Sequence, residues 1–119
     1  MNSINLTDAL ERFGGDREIY LEMVETFIAT ADSDFAQLYA QLASGMRLPV
    51  ASAIHRIKGS LATLGADDLS LSAGKLERML KTPDSAQNEL SSLLEETGKL
   101  YDQAIAELRE IAKTFRTQS

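Results

Sequence analysis

Apolar residues recur along this chain at steps of three and four, with no sustained alternation, which is the spacing of a helix face rather than a strand. Leu6, Leu10 and Phe13 open the pattern as a short helix near 6–13, which Gly14-Gly15 stops. Asp16 can cap the next element by accepting free backbone N–H groups, so a long helix is predicted over 16–44. Its stripe is Tyr20, Met23, Val24, Phe27, Ile28, Ala31, Phe35, Leu38 and Leu42. Ser44-Gly45 breaks that stripe, and Pro49 suits the first turn of the next helix, where no N–H is needed. That helix is predicted over 49–65, ended by Gly65.

Asp67 and Asp68 favour the start of a further helix over 68–81, with Leu69, Ala73, Leu76, Met79 and Leu80 on its buried side. Thr82-Pro83-Asp84 then reads as a cap and start for a last helix over 83–115. Leu90, Leu93, Leu94, Thr97, Leu100, Tyr101, Ala104, Leu108, Ile111 and Phe115 form its stripe, and residues 117–119 are expected to fray. Such stripes cannot be buried singly. The expected fold is therefore all-α, one domain over 1–119, an antiparallel four-helix bundle with a short extra helix at its N-terminal end.

Charge narrows the partners. The 18 acidic against 12 basic residues give a net charge of −6, which repels a polyanion, so no nucleic-acid partner is expected. No stretch approaches the roughly 20 apolar residues that span a bilayer, and residues 1–15 lack a secretory pattern, so no membrane insertion is expected. The absence of cysteine suits a reducing cytoplasm and excludes disulfides and thiolate metal sites. A monomer is expected.

The candidate chemistry lies on the helix of 49–65. At about 100° per residue, Ile54, Ile57, Leu61 and Leu64 gather on one side, and His55, the only histidine, projects away from them. Its neighbours on the same side are Ala51, Ser52, Lys58 and Gly59, one turn away, and Ala62 beyond them, none of which crowds a ring. Glycine inside a helix costs roughly 0.5–1 kcal/mol relative to alanine, so Gly59 asks for a reason beyond stability, and open access to His55 is one. Lys58 can bring a point charge near whatever the imidazole carries. An exposed imidazole keeps a ring nitrogen free to attack phosphorus at neutral pH, which makes His55 a candidate nucleophile. Taken singly, a lone helical histidine, a surface lysine and a helical glycine are each most often a solvated or packed residue. The joint arrangement carries the argument.

That arrangement, His55-Arg56-Ile57-Lys58-Gly59-Ser60 followed by Leu64-Gly65, resembles the signature of histidine-containing phosphotransfer (HPt) domains. Phe13-Gly14-Gly15-Asp16 before a long helix and Leu76-Glu77 on a later one are similar to less specific features of the same family. The resemblance implies an HPt-like bundle in which His55 accepts the phosphoryl group, Lys58 gives electrostatic support and Gly59 gives room. It further implies a phosphorelay role, with the phosphoryl group passing between aspartates of response-regulator receiver domains, and a hybrid sensor kinase as a further possible partner. The chain would be a phosphoryl carrier and not an enzyme, with no cofactor of its own and Mg²⁺ supplied by the receiver. Whether it is free-standing or part of a hybrid kinase stays open. The residues agree, since phosphoryl transfer needs positioning and charge stabilisation, and no Gly-rich phosphate loop for ATP is evident, so no autokinase activity is expected.

Docking is expected around His55, aided by apolar residues of the first helix such as Leu6 or Leu10, unless these cap the bundle; Arg56 could touch the rim. Two rivals come from other classes. A haem- or metal-binding bundle needs inward-facing ligands, and Met23, Met46 and Met79 fall on separate elements. A non-catalytic helical interaction adaptor, with His55 incidental, predicts no phosphoryl uptake.

Overall fold

The computed structural model describes residues 3–82 and 87–118, and these form five helices: α1 (Leu6–Arg12), α2 (Arg17–Ala43), α3 (Arg47–Leu64), α4 (Asp67–Lys81) and α5 (Gln87–Gln118). Each boundary has a local cause. The Asp16 side chain accepts from the Ile19 N–H at 3.1 Å and so caps α2. Gly65 ends α3 in the left-handed region at φ 93°, where an added Cβ would lie 2.6 Å from the Asn5 carbonyl oxygen. No other residue fits there without moving the N-terminal segment, whose Asn5 N–H donates to the Gly65 carbonyl at 2.7 Å.

Among the described residues, two boundaries differ by more than one residue from the sequence expectation. The third helix starts at Arg47 rather than 49, because Pro49 is still inside the first turn, whose N–H groups have no acceptor within the helix. The last helix continues through Gln118. Instead of fraying at 117, its end is tied by the Arg116 guanidinium on the Ala112 carbonyl and the Thr117 hydroxyl on the Thr114 carbonyl. The start expected at Thr82-Pro83-Asp84 lies, from Pro83 onward, outside the described residues.

The four long helices pack as an antiparallel bundle. At one end of the α3–α4 pair, Arg47 donates to the carbonyls of Met79 and Thr82 at 2.9 and 3.3 Å. Towards the other end, the Ser70 hydroxyl donates to the Lys58 carbonyl at 3.1 Å. A buried Ser72–Thr97 hydroxyl pair at 2.6 Å joins α4 to α5, and the Tyr20 hydroxyl on the Leu64 carbonyl at 2.8 Å joins α2 to α3. The short α1 closes the end of the bundle, with Ala9 inside and Arg12 donating to the Ala62 carbonyl at 2.8 Å.

Val24, Ala31, Val50, Ile54, Leu61, Leu64, Leu69, Leu76 and Leu108 fill the core, and burying a large aliphatic side chain stabilises by about 1.5–3 kcal/mol. Met23 does not join them: it is 43% exposed, since Val24, one residue on, takes the inward position and the stripe is too narrow for both. Leu6 and Leu10 are half-buried against the core and act as its lid. The large apolar side chains left outside include Leu48 and Leu71, at 66% and 67% exposed.

Candidate functional site

Helix α3 buries Val50, Ala51, Ile54, Leu61 and Leu64, which turns its opposite stripe, Leu48, Ser52, His55 and Gly59, to solvent. The His55 side chain is 64% exposed. It is nevertheless held. Its Nδ1 lies 3.0 Å from Oε2 of Glu77, a carboxylate on the adjacent α4 that is itself only 5% exposed.

Glu77 is the centre of the site. Lys58 Nζ donates to its Oε1 at 2.8 Å and Lys81 Nζ to its Oε2 at 2.8 Å. These hydrogen bonds, with a smaller contribution from His55, outweigh the cost of burial and pull the Glu77 carboxyl down from 4.5 to about 2. At neutral pH Glu77 is therefore a carboxylate and can only accept. The proton between it and the ring must sit on Nδ1, and in the neutral imidazole the lone pair then belongs to Nε2, on the solvent side.

Lys58 is not a free side chain, as its exposed position on the sequence suggested. Its side chain is one-third exposed and its ammonium is anchored on Glu77, the carboxylate that also holds the His55 ring. Gly59 is on the exposed stripe, and a Cβ there would meet nothing within 4 Å. Close helix packing therefore does not require this glycine, and what it leaves open is the space beside His55. The three residues singled out from the sequence, His55, Lys58 and Gly59, thus share one exposed edge.

Sequence reasoning assigned no chemistry to Glu77 or Lys81. A signal was present: Glu77 interrupts the apolar side of α4, between Ala73 and Leu80, and a carboxylate placed there must find cations or lose its charge. Arg56 is exposed and lines a groove between α2 and α3 with Asp34, Gln37, Gln41, Pro49 and Ser52, outside the Glu77 cluster. Among the described residues no group of three or more His, Cys, Asp or Glu could hold a metal ion, and no helix is long and apolar enough to cross a membrane.

A family model, that of the Hpt domain, matches residues 22–114. The chain belongs to the Hpt domain family. The matched range takes in His55, Lys58, Gly59, Glu77 and Lys81 and omits α1. No curated protein and no solved structure matches the chain. Hpt domains serve histidine phosphotransfer in phosphorelays, and they are phosphocarriers rather than catalysts.

Proposed function

We propose that this Hpt domain carries a phosphoryl group on Nε2 of His55, between aspartates of response-regulator receiver domains. The observation that supports this reading is the Nδ1–Glu77 contact at 3.0 Å, which leaves the lone pair of a solvent-facing imidazole on the outer nitrogen. In the loading step Nε2 attacks phosphorus in line, the Nε2–P bond forms as the P–O bond to the aspartyl carboxyl breaks, and the carboxylate leaves. The ring gains positive charge on its Nδ1 side, and the Glu77 carboxylate offsets it. The unloading step is the reverse, onto a second receiver.

Lys58 swings from Glu77 Oε1 to the phosphoryl oxygens, and Lys81 keeps Glu77 charged and in place. Gly59 leaves room for the receiver surface to reach the ring. Mg²⁺, held by the receiver, would screen the phosphoryl oxygens during transfer. The partners are receiver domains, alone or within a hybrid sensor kinase, and the carrier works as a cytoplasmic monomer.

Mixing the chain with a phosphorylated receiver tests the reading. The expected product is an acid-labile, base-stable phosphoprotein, and His55→Gln abolishes the label while helical content by circular dichroism is retained. A label that persists in the folded variant refutes the assignment of His55.

A further inference from the structure

Charge is distributed unevenly around this site. Residues 47–59 of α3 and 74–81 of α4 contain Arg47, Arg56, Lys58, Lys75, Arg78 and Lys81 against one carboxylate, Glu77, a formal +5 with the imidazole neutral. In a chain of net charge −6, every other residue together then amounts to −11. Antiparallel packing lays the two stretches side by side, as the Arg47–Thr82, His55–Glu77 and Lys58–Glu77 contacts show.

Gly74 is the seam between them. A Cβ there would lie 3.8 Å from Lys58 Cδ and 3.7 Å from an Arg78 guanidinium nitrogen, so the two cationic side chains pass over the same point of α4. Lys58 and Lys81 are occupied by Glu77, and Arg47 by backbone carbonyls. Arg56, Lys75 and Arg78 differ: each is exposed, and among the described residues none of them makes an ion pair. Leu71, 67% exposed, stands one turn before Lys75 on the same outer side of α4.

We infer that the outer side of α4, through Arg78 and Lys75, extends the docking surface beyond His55 and selects receiver domains whose phospho-acceptor face has an acidic rim. This rests on the carrier reading above. A compact acidic rim fits a cationic edge of this size, whereas a long polyanion would run onto the strongly negative remainder of the molecule. Rim charges of this kind act on the association rate and its salt dependence more than on the chemistry after docking.

The test compares two phosphodonors on the full chain. Phosphoramidate loads His55 without a protein partner: the Nε2–P bond forms, the P–N bond of the donor breaks, and ammonia leaves. A panel of receivers phosphorylated with acetyl phosphate, graded from acidic to neutral acceptor faces, supplies the protein donor. The Lys75→Glu/Arg78→Glu double variant is expected to load from phosphoramidate at the wild-type rate. Its second-order rate with acidic-rim receivers should fall by about tenfold at low salt, with a flatter salt dependence. Lys113→Glu, an exposed charge on α5, should change neither rate.

A double variant within twofold of wild type on the acidic receivers overturns the inference, as does an equal loss at low and high salt. Duplex DNA binding to this edge with the same salt dependence would assign it to nucleic acid instead. Failure of phosphoramidate to label His55 in the wild type removes the carrier reading itself, and this inference with it.

Discussion

Two carboxylates each tie a pair of helices together in this molecule, and they leave opposite consequences behind. Asp32 on α2 accepts from the Tyr101 hydroxyl at 2.6 Å and from the Arg109 guanidinium at 3.0 Å, both on α5. Those hydrogen bonds, Tyr101 first, lower the Asp32 carboxyl, while burial and the Asp32 charge raise the Tyr101 hydroxyl, which keeps its proton. Glu77 likewise joins α4 to α3, but one of its partners has a second polar atom. Tyr101 ends its polar chemistry at Asp32, whereas His55 donates through Nδ1 and still faces solvent with Nε2. The difference between a clamp and the proposed phosphoryl-accepting site is the ring's second nitrogen, together with the exposure of the side chain that carries it.

The comparison breaks first at access. Gly59→Leu should lower transfer from a phosphorylated receiver by about a hundredfold, since the added side chain obstructs the ring, with stability nearly unchanged because leucine is the better helix former. Transfer at the normal rate would show that the open space beside His55 has no part in docking.

Glu77→Ala comes next, with transfer expected to slow by about tenfold and stability to fall by about 1–3 kcal/mol as Lys58, Lys81 and the ring lose their shared acceptor. Its pH dependence is set by the sign of the shift. The folded-state pKa is depressed, so the stabilisation from Glu77 is fully present above its ordinary value of 4.5 and is lost as pH falls towards about 2. The gap in urea midpoint between wild type and Glu77→Ala should shrink over that window, and a gap that stays constant would show that charge is not what Glu77 contributes.

The smallest effect belongs to the clamp. Tyr101→Phe should cost about 1 kcal/mol, read as a lowered urea midpoint, and leave phosphotransfer unaltered. Slower transfer in that variant would mean that the α2–α5 clamp and the α3–α4 site are coupled, and the contrast drawn between them would fail.

Much of the fold was legible along the chain because helix periodicity and end signals act within a few residues. Asp16, Ser44 and Gly65 sit at helix ends as expected, and the stripes of α3 and α4 supply the buried residues. What misled was equally local. Met23 and Val24 both fit the α2 stripe, and only the neighbouring helices decided which one faces inward. Leu6 and Leu10 fitted a docking surface and a cap of the bundle equally well, and only the tertiary structure shows that they pack, half-buried, against the core.

The candidate site divides in the same way. His55 faces outward because its angle to Ile54, Leu61 and Leu64 is set by the helix itself, and Gly59 is open for the same reason. Those properties belong to the sequence alone, since 3.6 residues per turn fixes them before any second helix arrives. That Glu77 orients the ring, that Lys58 and Lys81 share it, and that Arg47, Lys58, Arg78 and Lys81 line one edge required the antiparallel register of α3 and α4. Residues far apart in the chain meet there only when two apolar stripes are buried against each other, and no local spacing records which polar groups that burial brings together.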